Sequence, residues 1–325
     1  MTPARLGCAE VARNCGVDPI GTGSAINSWL LIEHAGPWPE DVREQLLAAA
    51  FPPARRAQLQ ELWEVEGLPP LVIRRPGRAG RRTASTRTVL FGSTVGGRRW
   101  LERLTVSDVR ELADLDLAAL AAGRPGHGET VTGPVFCVCT QGTVDPCCAV
   151  RGRAVVAALA GQHPERTWEV THLGGCRFAA NLLVLPDGVM HGRLDPADAT
   201  EVADAAIGGH VLPDRLRGRL GAGSWAGGAE VAVRRLHGSA GLDDVVAVSA
   251  AEHPDTVAGE DGPEPAGADV VVRAGAHDYA VRLRWDMRAE VPSRCSPEGT
   301  DTSRLVVTAL HPLPAVSELA VEGPH

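Results

Sequence analysis

Five of the chain's eight cysteines lie between positions 137 and 176, and they sit where strand-like segments give way to loops. The first run is Cys137-Val-Cys139-Thr-Gln-Gly-Thr-Val-Asp145-Pro-Cys147-Cys148, which leaves the β-branched segment 131–139, crosses a loop and enters a helix over 148–161. The second is His172-Leu-Gly-Gly-Cys176-Arg-Phe, in the loop after a strand over 167–172. Two adjacent strand-to-next-element loops can therefore present several sulfur and nitrogen donors together. Gly174 and Gly175 carry no Cβ and let the backbone between His172 and Cys176 bend tightly. A clustered cysteine set in a chain of this size reads as metal-binding or redox-active rather than as a disulfide framework.

The surrounding segments set this pair of loops in an α/β layer. Strands are expected at 24–34, 71–75 and 88–92, the last two separated by an arginine- and glycine-rich loop, with helices at 40–51 and 54–66. Ser107 is read as the cap of a helix running to about Ala122, and Gly123-Arg124-Pro125-Gly126 marks a first boundary. Beyond it the order is β-α-β-β-β-α. The helix over 148–161 would bury Val150, Ala154, Val155, Ala158 and Leu159. Strands follow at 167–172, 181–186 and 189–194, the last two joined by the Pro186-Asp187-Gly188 turn, and a helix is capped by Asp195 with Pro196 in its first turn. The tail offers a helix over 226–237 and strands at 245–250, 270–275, 279–285 and 304–310 that alternate apolar with polar residues, with a linker-like loop over 254–267. The expected organisation is an N-terminal α/β region over 1–128, a compact α/β domain over 129–215 and a small C-terminal α+β region over 216–325, without internal repeats.

Composition removes whole classes of function. The 325 residues contain no lysine: all 32 basic side chains are arginine, which excludes a P-loop lysine, a Schiff-base lysine or a lysine base. With 40 acidic residues, a net charge of −8 and 4% aromatic residues, no nucleic-acid partner is expected. No run approaches the ~20 apolar residues that span a bilayer, and Met1–Ser24 lacks a basic start followed by a long apolar stretch, so a cytoplasmic protein with no membrane partner is expected. The Gly-Ala-Gly-Ser-Trp-Ala-Gly segment (221–227) follows no convincing strand and is set aside as a dinucleotide motif. Without a nicotinamide or flavin motif the chain is not expected to take hydride itself.

Thiolate and imidazole donors suit zinc or an iron–sulfur cluster and disfavour hard cations. Structural zinc sites place cysteines two to four residues apart, whereas eight residues separate Cys139 from Cys148, an interval that favours the larger iron–sulfur cluster. Cys147 competes with Cys148 as donor. Cys137 shares a strand face with Cys139 and reads as a packing thiol, Cys8 and Cys15 as structural thiols on one helix face, and Cys295 as incidental. His127, His191 and His210 are isolated. Arg151, Arg153 and Arg177 flank the donors and are candidates to offset their charge.

The segments Cys139-Thr-Gln-Gly-Thr-Val-Asp145-Pro-Cys147-Cys148-Ala-Val-Arg-Gly152-Arg, His172-Leu-Gly-Gly-Cys176-Arg-Phe-Ala-Ala-Asn181 and Gly192-Arg193-Leu194 resemble the sucrase/ferredoxin-like family. The likeness extends upstream through Cys8, Asp18-Pro19-Ile20-Gly21-Thr22, Trp29–Glu33 and Gly36-Pro37-Trp38, and covers most of the chain to about residue 237. It implies a thioredoxin-like ferredoxin domain with one [2Fe–2S] cluster. It also implies Cys139, Cys148, His172 and position 176 as ligands. Position 176 departs from the family's histidine: it is Cys176, the residue that plain thioredoxin-like ferredoxins carry there. A three-cysteine, one-histidine set follows, with a potential between the all-cysteine and two-histidine cases and a pH dependence carried by His172. The resemblance implies electron transfer between a separate reductase and a separate acceptor protein. Two other readings use the same residues: a zinc-stabilised binding module, and a thiol–disulfide oxidoreductase, for which the usual Cys-x-x-Cys at a helix start is missing.

Overall fold

A computed structural model describes residues 6–78, 85–238, 240–259 and 262–314. The arginine-rich loop expected between the strands near 74 and 88 lies partly outside these residues.

The N-terminal region supplies helix α1 (Cys8–Asn14), strand β1 (Ser28–Glu33), helices α2 (Val42–Ala50) and α3 (Pro53–Glu66), strands β2 (Pro70–Arg74), β3 (Arg87–Ser93) and β4 (Trp100–Val106), helix α4 (Leu117–Ala121) and the short strand β5 (Glu129–Thr130). The helix expected from Ser107 is broken. Asp108 caps a short 3₁₀ helix over Val109–Asp114, and Asp116 then caps α4 through the Ala119 N–H, because each aspartate competes for the backbone donors of its own turn.

The next stretch gives β6 (Val135–Cys139), α5 (Pro146–Gln162), β7 (Thr167–Val170), β8 (Leu182–Leu185), β9 (Val189–His191), α6 (Pro196–Ile207), β10 (His210–Val211) and β11 (Leu216–Arg219). β6 runs parallel to β7 and antiparallel to β8, and β8 runs antiparallel to β9. The local order β9-β8-β6-β7 is the thioredoxin-like arrangement. Helix α5 starts two residues earlier than expected, with Asp145 as cap and Pro146 in its first turn. Its buried face is also turned: Cys148, Gly152, Val155, Val156 and Leu159 point inward, while Val150 is exposed.

These strands join in one mixed ten-stranded sheet, ordered β11-β9-β8-β6-β7-β2-β1-β3-β4-β5. β2 pairs antiparallel with β7 through Ile73↔Val170 and Arg74↔Glu169, so the N-terminal strands and the cysteine-bearing strands share a sheet. Beyond β11, helix α7 (Gly223–His237) and strand β12 (Ala240–Gly241), which pairs with β10, lead to a second sheet. Its strands β13 (Val245–Glu252), β16 (Gly267–Ala274), β17 (His277–Asp286) and β18 (Arg304–Pro312) are antiparallel, and β17 alternates exposed and buried residues as expected. Between β13 and β16, strands β14 (Thr256–Gly259) and β15 (Gly262–Pro265) form a hairpin where a linker-like loop was expected. The 221–227 segment does follow a strand, but its helix is seated by close packing. A Cβ at Gly228 would lie 2.4 Å from Leu305 of β18. Among the described residues no helix is long and apolar enough to cross a membrane.

Candidate metal centre

β6 and β7 are parallel neighbours, so the loops at their C-terminal ends open on the same edge of the sheet. The β6–α5 loop carries Cys139 at its start, and the first turn of α5 carries Cys148. Both are about 1% exposed. α5 reaches Cys139 because Gly152, one turn beyond Cys148, is bare: a Cβ there would stand 2.3 Å from the Cys139 carbonyl oxygen.

The loop after β7 carries His172 and Cys176. Gly174 and Gly175 both adopt left-handed backbone, at φ +78° and +67°, which makes the bend that brings Cys176 back toward His172. The Cys176 sulfur lies 3.3 Å from His172 Nδ1. The loop is anchored from three sides. Gln141 accepts the His172 N–H at 3.0 Å, Asn181 Nδ2 donates to the Gly175 carbonyl at 3.0 Å, and the Arg217 guanidinium donates to the Gly174 carbonyl and the Asn181 side chain, each at 3.0 Å. Gly175 is needed for a second reason, since its Cβ would sit 2.5 Å from that guanidinium.

The structure therefore brings together all four residues singled out from the two motifs. Cys148 is the middle of the set, with Cys139 on one side and Cys176 on the other. These neighbouring thiols, and burial, push the Cys148 thiol up, while the nearness of Cys148 pulls Cys139 down and holds Cys176 down at about 6, with His172 adding to the latter. His172 is raised in turn by its bond to Cys176. Exposure divides the set: Cys139 and Cys148 are sealed, Cys176 is half-buried and His172 faces solvent.

Cys147 turns away from these donors. Its sulfur lies 3.4 Å from that of Cys295, and the Cys8 thiol donates to Asp145 at 3.0 Å. Cys8, Asp145, Cys147 and Cys295 form a group whose donor atoms all lie within 4.8 Å of one another, and which could hold a metal ion. This corrects the reading of Cys295 as incidental and of Cys8 as a thiol paired in role with Cys15: Cys15 packs separately, against Ala12, Val17 and Phe178. Cys137 is fully buried, and burial pushes its thiol up to about 12.

The flanking arginines are engaged elsewhere or face outward. Arg177 pairs with Asp301, Arg151 lies 3.9 Å from Glu10, and Arg153 is exposed. The cation behind the donors is Arg217, about 2% exposed and lowered to about 10 chiefly by burial. In a chain whose only basic residue is arginine, nothing in the sequence sets it apart.

With both loops assembled on one sheet edge, likeness to known proteins can be weighed against the geometry. The family model described as sucrase/ferredoxin-like matches residues 19–218. The chain belongs to the sucrase/ferredoxin-like family. Both donor loops of this sucrase/ferredoxin-like chain fall inside the matched span, whereas Cys8 and Cys295 fall outside it. No curated protein and no solved structure matches the chain.

Proposed function

We propose that this sucrase/ferredoxin-like protein is a one-electron carrier, with Cys139, Cys148, His172 and Cys176 holding a [2Fe–2S] cluster. The observation that carries the reading is the shape of the donor set. The four residues are strung in sequence, Cys139 to Cys148 to Cys176 to His172, and do not form a group whose atoms all lie within 4.8 Å of one another. A single tetrahedral ion gathers its ligands around one centre, whereas a two-iron cluster takes them in two pairs. The Cys139–Cys148 and His172–Cys176 contacts provide such pairs, and the donors are of the sulfur and nitrogen type such clusters use.

When bound, the cluster supplies a reversible one-electron couple. The residues of this chain do the rest. Cys139 and Cys148 hold the inner edge away from water, and Arg217 places a buried cation behind an anionic set. His172 and half-buried Cys176 present the outer edge to partners, which we take to be a reductase and an acceptor protein. His172 stands beside an open depression lined by Glu40, Arg43, Glu44 and Trp63, a polar rim with one aromatic side chain suited to transient docking.

Protein purified aerobically without chelator should be red-brown, contain about two irons and two sulfides per chain, and give a rhombic EPR signal after dithionite. Cys176→His should retain the cluster and raise its midpoint potential. Colourless protein carrying only zinc at these residues, or metal-free protein cycling Cys139 and Cys148 as a disulfide, would overturn the proposal.

A further inference from the structure

Cys8, Asp145, Cys147 and Cys295 come from three distant parts of the chain: the first turn of α1, the cap and first turn of α5, and the loop between β17 and β18. We infer that they form a second, mononuclear metal site that takes one Zn(II) and fastens α1 and the β17–β18 loop to the head of α5.

The donors already converge. Besides the Cys147–Cys295 and Cys8–Asp145 contacts, the Cys8 N–H donates to the Cys295 sulfur at 3.5 Å. Asp145 divides its carboxylate: one oxygen accepts the Cys147 N–H at 2.7 Å as the helix cap, and the other faces the Cys8 sulfur. The space is shaped for a sulfur. A Cβ on Gly7 would stand 2.6 Å from Cys147 Sγ, so only glycine admits the thiol there. Cys295 is presented by a tied loop, in which the buried Ser293 hydroxyl accepts from the Cys295 and Ser296 N–H groups and from Thr300 Oγ1.

Donor chemistry selects the ion. Three thiols and one carboxylate suit a borderline-soft divalent metal and exclude calcium or magnesium, and four protein donors with no open position describe a closed structural zinc site. Cys8, Asp145 and Cys147 are each 4 to 6% exposed. Their convergence within 4.8 Å suits one ion, in contrast to the strung-out set across α5. This site stands whether or not the other holds iron.

The test is elemental analysis of the full chain, expressed in zinc-supplemented medium and purified without chelator, with Co(II) titration of the metal-stripped protein. About one zinc per chain is expected, and one Co(II) should bind with thiolate-to-metal charge transfer. Cys295→Ala, a change in a half-buried loop residue, should lose the zinc and leave iron unchanged, and Cys176→Ala should do the reverse. The proposal is overturned by wild-type protein without zinc that shows no Co(II) charge transfer, by zinc that persists in Cys295→Ala, or by a Cys147–Cys295 disulfide in the isolated protein. A second zinc equivalent removed by Cys176→Ala alone would count against the iron–sulfur reading and leave this site standing.

Discussion

Gly152 carries no reactive group, yet the approach of α5 to Cys139 depends on it. Gly152→Ala puts a methyl group 2.3 Å from a backbone oxygen that cannot yield cheaply, so we expect a loss of about 3 kcal/mol in denaturant unfolding and, under the proposed function, a bleached or weakened visible spectrum. Arg217→Met removes the donors that hold Gly174 and Asn181 and leaves buried acceptors unpaired. A loss of about 3 kcal/mol is expected, and any cluster that survives should have a lower midpoint potential, because a neighbouring cation favours the reduced state. A hydrogen-bonding anchor alone would not move the potential in that direction. His191 is about 2% exposed, neither ring nitrogen has a hydrogen-bond partner among the described residues, and burial lowers it from 6.5 to about 4. The unfolded chain thus takes up this proton near pH 6.5, but the folded one waits until about 4. The stabilisation is complete above 6.5 and disappears as pH falls toward 4, at a cost of about 3 kcal/mol. His191→Leu should flatten that part of the acid limb of a stability-versus-pH curve; an unchanged limb would show that the proton goes elsewhere. At this scale the closeness of Cys139, Cys148, His172 and Cys176 was legible, because cysteine and histidine are scarce and fall in two short motifs on neighbouring loops. The sequence hid Gly152, Arg217 and Cys295, whose roles depend on what lies opposite them.

Elements were legible where local chemistry decides them. Asp195-Pro196 announced α6, and the same pair at Asp145-Pro146 starts α5. The inward face of α5 was misread because Val150 is apolar yet exposed, whereas Gly152 is inside for lack of a side chain. The β14–β15 hairpin was hidden by glycine, proline and acidic residues that usually mark a linker. The junction of β2 with β7 was invisible too, since its partner residues are nearly a hundred positions apart. There Arg74 pairs with Glu169 at 2.7 Å, Thr140 also donates to Glu169, and the guanidinium lies 4.0 Å over the Trp38 ring. Both side chains are largely buried, so Arg74→Met or Glu169→Leu should each cost about 3 kcal/mol by stranding the other charge. The double variant should cost less than the sum, as a double-mutant cycle in urea will report; strict additivity would mean that the pair is solvated.

For the whole molecule, the β-α-β-β-β-α order, the α/β class and the alternating C-terminal strands followed from periodicity and punctuation. The continuity of ten strands did not, because strand neighbours across the sheet are chosen by tertiary packing. That continuity sets the segment after β1 against the β6–α5 loop, where Gln141 donates to the Glu40 carbonyl and Thr143 to the Trp38 carbonyl. The unequal covering of the donors has a kinetic corollary under the proposed function. With Cys139 and Cys148 sealed from water and, among the described residues, only the side of His172 and Cys176 open, incoming and outgoing electrons share a single doorway. Reductase and acceptor must then take turns, so excess acceptor should slow reduction competitively in stopped-flow traces, and no complex of all three proteins should form.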